Sequence, residues 1–386
     1  MIANKAEEVK SNLWSLKSVY RIMFPFVVPP RESAHPLVDN QFFEQYNCYS
    51  EILFRVFKQE ITMNQKIKVF STVALFFALC VFAFGQQELP RPYGGTAPDV
   101  QIPEDGKVRI INFGAHPDDA EFRAGGTAVL WGERGDHVKF VSTTNGDIGH
   151  WKESGGALAL RRYREAQDAA KILGVQQSIV WDIHDGELEP TLDNRLRFTR
   201  EIRRWNADIV IAHRPNDYHP DHRYTGVLMQ DAAYMVGVPF LAPDTPPLLK
   251  TPVFLFSYDS FQNPPFRADI VIAIDDAIDK KTEALSLMDS QFSEGGALGH
   301  LNPLAVAAVA DPSLIPAQRQ RTVKQFKERA AAVADKYRDK LIEFYGQEVG
   351  SKVKYAEVFD ICEYGRSPNK DEIMRLFPIS APKSIR

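Results

Sequence analysis

Cysteine is scarce in this chain: three residues in 386. Cys48, Cys80 and Cys362 contain no CxxC pair, which excludes a disulfide-stapled fold and a thiolate-held structural zinc. A surplus of positive charge is also missing. Lys and Arg number 46 against 50 Asp and Glu, a net charge of −4, so the chain lacks the basic face of a nucleic-acid binder. There is no internal repeat and no low-complexity tract, which excludes a solenoid or a fibrous array. What remains is ordinary globular material, 44% hydrophobic and 25% charged, long enough for a sizeable core. Any bound metal has to be held by His and carboxylate.

The most apolar segment lies away from the N-terminus. Met63 opens a basic start with Lys66 and Lys68, and Val69 to Phe84 then runs apolar but for Ser71 and Thr72. Ala83-Phe84-Gly85 supplies small residues at the first and third places before Gln86. This is the pattern of a secretory signal, and the run is shorter than the ~20 residues of a spanning helix. A membrane anchor or a buried helix is the alternative. Residues 1–62 show no clear periodicity, so they are expected to be a mis-called upstream extension, with translation starting at Met63. The expected order is then signal peptide 63–85, extended lead-in 86–106, a main domain 107–366 and C-terminal tail 367–386. The location this implies is secreted or periplasmic, with membrane contact only through the signal or anchor segment.

From Lys107 the pattern alternates. Strands are expected at Val108–Phe113, His137–Ser142, Ser178–Asp182 and Ala207–Ala212, with helices between them, one of which (Leu158–Leu173) stops at Gly174. Strands alternating with helices of this length imply crossover connections and a mostly parallel sheet. Further on, strands are expected at Val253–Tyr258, Asp269–Ile274 and Tyr355–Tyr364, and helices at about 275–291 and 318–345. The predicted class is α/β: a Rossmann-like, mostly parallel sheet flanked by helices, with a C-terminal β/α extension.

Two segments carry chemistry. Ala115-His116-Pro117-Asp118-Asp119-Ala120-Glu121 follows the first strand and opens a helix, and His213 to His222, ending in His219-Pro220-Asp221-His222, follows the fourth. In open parallel sheets ligands bind beyond the carboxyl ends of the strands, so distance along the chain need not separate the two. His116 and Asp119, three apart at a helix start, can face one point, and His222 can join them. Two imidazoles and a carboxylate with one position free is a catalytic zinc layout. Asp118, beside the ligands, is the candidate general base. His219 would polarise the substrate carbonyl and protonate the leaving nitrogen. Asp217 is expected to orient His219, and Glu121 to lie behind the ligands. His184 and His213 are expected to be structural or supporting groups. Asp147 and His150, in the loop after the second strand, and Arg161 and Arg162 on the following helix are candidate substrate contacts.

These paired motifs resemble the LmbE-like, or PIG-L, family of zinc-dependent N-deacetylases, over about Val108 to Tyr364. Thr144–His150, Arg161–Glu165 and Glu357–Tyr364 are further echoes. The resemblance implies a Rossmann-like fold, zinc on His116, Asp119 and His222, Asp118 as base and His219 as the histidine that stabilises the transition state. It also implies removal of an N-acetyl group from an amino-sugar-like small molecule or glycan. One Zn2+ per chain is expected; Fe2+ or Mn2+ would suit the same mixed donors. Another metal-dependent amide or ester hydrolase, or a non-catalytic carbohydrate-binding protein, are the alternatives, and the oligomeric state is left open.

Overall fold

The computed structural model describes residues 105–385. The expected extension 1–62, the signal segment 63–85 and nearly all of the lead-in 86–106 lie outside the described residues. Among the described residues no helix is long and apolar enough to cross a membrane.

The first half of the domain is a βα alternation. It runs β1 (Arg109–Gly114), α1 (Asp119–Arg134), β2 (His137–Ser142), α2 (Gly155–Leu173), β3 (Gln177–Val180), α3 (Leu192–Trp205), β4 (Ile209–Ala212) and α4 (Pro220–Met235). A long loop then leads to β5 (Val253–Ser257) and β6 (Ile270–Ala273). The rest is α5 (Ile278–Ser286), α6 (Asp289–Phe292), a tight turn at Gly296–Leu301, α7 (Pro303–Ala310), α8 (Ile315–Lys336), α9 (Arg338–Gly350), β7 (Ala356–Ile361) and α10 (Lys370–Leu376).

All seven strands join one sheet in the order β3-β2-β1-β4-β5-β7-β6. The first five are mutually parallel, whereas β7 is antiparallel to both neighbours. This is the expected Rossmann-like arrangement, with the antiparallel strand β7 inserted between β5 and the edge strand β6. β1 pairs with β2 on one side and β4 on the other, so the strand order reverses there and a crevice opens beyond their carboxyl ends. The inner strands are buried on both faces, which explains their near-continuous apolar runs. Ile110 and Ile209 face a core shared with α1, α2, α5 and α8. Ile111 and Val210, one residue on, face a second core under α3 and α4, as the two-residue period of a strand requires.

Three elements depart from the sequence reading. The helix expected at 275–291 is two pieces, α5 and α6, broken at Met288 (φ −85°, ψ 63°). The helix expected at 318–345 is α8 and α9, broken at Tyr337 (φ −112°, ψ 32°), whose ring packs edge-on against Tyr258. Periodicity along the chain registers neither break. The segment read as a tail, 367–386, carries α10, opened by an Asn369–Glu372 capping box. It buries Phe377 completely, against Trp131 at 5.5 Å.

From the antiparallel end, β7 sends the buried Glu357 side chain into α1. Its carboxylate accepts from the amides of Gly126 (2.8 Å) and Thr127 (2.7 Å) and from Lys281 Nζ (2.6 Å). Gly126 leaves the necessary room: a Cβ there would stand 3.0 Å from the Glu357 carboxylate and 2.9 Å from Ile274.

Candidate active site

Both motif loops begin where a strand ends and finish where a helix starts. After β1 the chain turns at His116-Pro117-Asp118 and enters α1 at Asp119. Asp118 caps that helix at φ 155°, ψ −25°, a backbone region that residues with a Cβ rarely enter; such outliers concentrate at functional sites. After β4 the chain runs to His219, the N-cap of α4, with Pro220 at the first helical position, where its missing N–H costs nothing.

The two loops meet. His116 Nδ1 lies 3.2 Å from His222 Nε2, and Asp119 Oδ2 lies 3.4 Å from each of those nitrogens. The far side of each ring is committed. His116 Nε2 faces Asp185 Oδ1 at 3.0 Å, and His222 Nδ1 faces Asp217 Oδ1 at 3.1 Å. A ring N–H donated to each carboxylate would leave the nitrogens that face each other free to bind an ion, the tautomers of metal-binding imidazoles backed by carboxylates. Three acceptor atoms 3.2–3.4 Å apart match the edges of a tetrahedron built on bonds of roughly 2.0–2.1 Å. The donor set fits a divalent ion. The carboxylates around it favour positive charge at this point, whether a proton or an ion: burial opposes charge on His116, but Asp119, Asp185 and Asp221 together raise its pKa well above the ordinary value. Three further sets of groups close enough to share an ion overlap this triangle: His116/His219/His222, His116/Asp185/His219/Asp221 and Asp119/His213/His222.

The surrounding residues divide by what they touch. Asp118 Oδ1 accepts from Arg162 Nη2 at 3.2 Å. Burial pushes its carboxyl up to about 6 against the pull of that guanidinium, in the range useful to a general base. His219 Nδ1 accepts from the Asp221 amide at 3.3 Å, so its proton sits on Nε2, on the side of Asp185 Oδ1 at 3.9 Å. Burial first, then the neighbouring imidazoles, lower its pKa. Asp217 was expected behind His219. It meets only the His219 amide (3.2 Å), and its imidazole partner is His222. Glu121 is buried in the first turn of α1 with Oε2 unpartnered, and burial raises its carboxyl to about 8.

The four candidate substrate contacts fall into three places. Arg162, only 2% exposed, lies under the site and donates to the Gly146 and Pro117 carbonyls as well as to Asp118. Gly146 (φ 68°) accommodates it, since a Cβ would come within 2.3 Å of Arg162 Nη1. Asp147 shapes the loop after β3, accepting from the Asp185 amide at 3.1 Å and facing His184 Nδ1 at 2.7 Å. Arg161 and His150 both turn to Glu294. Arg161 makes a two-pronged pair with it (2.9 and 2.8 Å), and His150 Nε2 stands 3.2 Å away. Together they clasp the loop after β2 to the turn before α7.

Three site residues received no role, or only a supporting one, from the sequence. Asp185 orients His116. Asp221, fully buried, holds the Gly186 and Leu188 amides at 2.7 and 3.2 Å and lies 3.4 Å from His116 Nε2, tying the β3 loop to the β4 loop. His213 stacks on His222 at 4.0 Å and approaches Asp119 Oδ2 at 3.3 Å; burial lowers its pKa to about 4, so it is a neutral support. Asp185 was findable, because it follows β3 as the two motifs follow β1 and β4.

Residues 111–233 match the family model described as PIG-L: GlcNAc-PI de-N-acetylase. A diacetylchitobiose deacetylase of Thermococcus kodakarensis is 29% identical over 197 residues, covering 48% of this chain and 71% of that protein. A Bacillus anthracis protein described as a probable N-acetyl-alpha-D-glucosaminyl L-malate deacetylase 2 is 26% identical over 189 residues, 46% of this chain and 79% of that one. Among solved structures, the N,N'-diacetylchitobiose deacetylase of Pyrococcus horikoshii aligns with TM-score 0.50 at 24% identity, covering 66% of this chain and 84% of that one. A 4-carboxy-2-hydroxymuconate hydratase of Pseudomonas putida aligns with TM-score 0.53 at 20% identity, covering 68% and 99%. At these identities the structural likeness speaks for the fold; one fold hosts both a deacetylase and a hydratase, so the chemistry has to be argued from the site.

Proposed function

We propose, from the PIG-L (LmbE-like) domain that residues 111–233 carry, that this protein is a metal-dependent deacetylase releasing acetate from an N-acetylated amino sugar or its conjugate. The observation that carries this reading is the triangle of potential donor atoms on His116, Asp119 and His222, with the buried Asp118 carboxyl beside it. Those three side chains would hold the ion, zinc in this reading. When bound, such an ion supplies acidity to a coordinated water, bringing its pKa to roughly 7.

The protein's own groups account for the remaining chemistry. Asp118 accepts a proton from the attacking water, and Arg162 keeps the carboxylate aimed while opposing its rise in pKa. His219, with its proton on Nε2, donates toward the amide oxygen as that atom gains negative charge. The leaving nitrogen takes up the proton that the water lost and then the one that the new acid sheds, so one water and one amide become acetate and a protonated amine. Asp217 and Asp185 hold the His222 and His116 rings in the tautomers the ion needs. The basic start and apolar run of 63–85 support export, which would bring the enzyme to envelope or extracellular glycans.

The test is acetate release from N-acetylated amino sugars and glycans, beside simple acyl amides and esters, before and after chelation. Release from the sugars that chelation abolishes and added zinc restores is the expected result. Turnover confined to simple amides or esters would point to the broader hydrolase, and sugar binding without any acyl release would overturn the enzymatic reading.

A further inference from the structure

One turn along α1 from Asp119, the fold gathers positive charge that the chemistry above does not use. Arg123 is half-buried there, and Arg329, on α8, reaches the same place from the exposed side. Both guanidiniums lie by the Phe122 ring, 4.8 and 5.8 Å from its centroid, and Arg329 is also 5.3 Å from the Phe326 centroid. Lys281 stands 6.0 Å from the same Phe122 ring, but its charge is met by Glu357 at 2.6 Å. The two arginines have no such partner: among the described residues neither forms an ion pair with a carboxylate. The nearby Asp259 is committed to Arg214.

The donors are as poorly met as the charge. Arg123 gives one N–H to the Tyr258 carbonyl and keeps a buried Nε with no partner. Arg329 makes no hydrogen bond to the described residues. Lys336 adds a third charge at the border, with Nζ 3.5 Å from the Tyr258 hydroxyl and no carboxylate beside it. A ring face offsets part of the cost of holding a guanidinium, yet it accepts no hydrogen bond of ordinary strength. Burial first, then the charge of Arg123, lowers the pKa of Arg329, so the two cations oppose each other where they stand. A buried donor without a partner calls for one. The frame is set in advance, because Phe122 and Phe326 pack α1 on α8 with their centroids 5.3 Å apart.

We propose that Arg123 and Arg329, with Lys336 at the edge, bind an oxyanion, a phosphate or a carboxylate, between α1 and α8. The planar fork of a guanidinium matches two oxygens of either group, and such charge-assisted bonds are the strong ones. The anion would supply both the missing acceptor at Arg123 and the counter-charge that separates the two cations. It comes either free from solution or as a group carried by the molecule in the active site.

The test is calorimetric titration of inorganic phosphate, at low ionic strength, into the metal-loaded wild type, Arg123→Gln, Arg329→Gln and a remote control, Arg204→Gln on α3. Saturable binding is expected in the wild type and the control, weakened about tenfold in each of the other two, the loss of one charge-assisted pair. Equal affinity in Arg329→Gln and the wild type, or no saturable binding to the wild type, would overturn the site. Arg329 is exposed, so its variant decides the matter if Arg123→Gln does not fold. Phosphate added to the acetate-release assay tells the two sources apart. A raised KM that Arg329→Gln does not show assigns the site to an anionic group on the substrate, and an unchanged KM assigns it to a free anion. Only this second arm rests on the deacetylase reading; the titration stands whether or not the protein releases acetate.

Discussion

In the parallel part of the sheet, β1, β2, β3 and β4 all end at one edge, and their loops supply His116 to Asp119, Asp147, Asp185 and His213 to His222. In the antiparallel part, β7 runs the other way, and its contribution is Glu357, buried in α1 between the Gly126 and Thr127 amides and Lys281. The two parts use the same kind of side chain for opposite ends. Carboxylates at the parallel edge face imidazoles whose other nitrogens cluster with Asp119 where an ion would fit. The carboxylate at the antiparallel end is satisfied on both oxygens, with no capacity left for a ligand. Burial alone does not identify a catalytic acid; what distinguishes the two is whether the group's partners leave something unpaired.

Substitutions on either side can break that contrast. The largest loss of turnover is expected from Asp118→Asn, which keeps the shape and the metal ligands but removes the base. Activity should fall by roughly 10²-fold or more with metal content unchanged; full turnover would remove Asp118 from its role. A smaller loss is expected from Asp217→Ala, which removes the carboxylate that backs the His222 ring at 3.1 Å and also accepts from the His219 amide. Metal affinity should drop by about 10–100-fold, measured by competition with a chromophoric chelator, and activity should recover with excess metal. The smallest effect on turnover is expected from Glu357→Ala. It leaves Lys281 buried and unpaired and should cost about 3–5 kcal/mol of stability, read from urea unfolding, while kcat in the cold changes little. A Glu357→Ala protein with ordinary stability and lost metal would show that the two regions are not separate in the way described.

The same contrast explains what could be read from the chain. His116, Asp119 and His222 were legible because each motif follows an apolar strand, and a parallel sheet brings such strand ends to one edge. The position of Asp118 beside the triangle was legible because it directly precedes Asp119. Asp185 and Asp221 were harder: their parts come from contacts between the β3 and β4 loops, and no spacing along the chain encodes those. Arg161 and His150 were read toward the substrate, yet their polar atoms meet Glu294, more than 130 residues away along the chain. Glu357, in an ordinary alternating strand, gave no sign that it enters a helix. The break at Tyr337 was hidden for a similar reason, since the helix-forming residues of 318–345 run past it and only the packing of its ring on Tyr258 marks it. Convergence imposed by topology is visible in sequence order; pairing between distant side chains is not.

The most direct test is anomalous diffraction at the zinc edge from crystals of the metal-loaded protein. A single peak is expected, bounded by His116 Nδ1, Asp119 Oδ2 and His222 Nε2, with Asp118 outside the coordination sphere. A peak elsewhere, or none within reach of both imidazoles, would contradict the account.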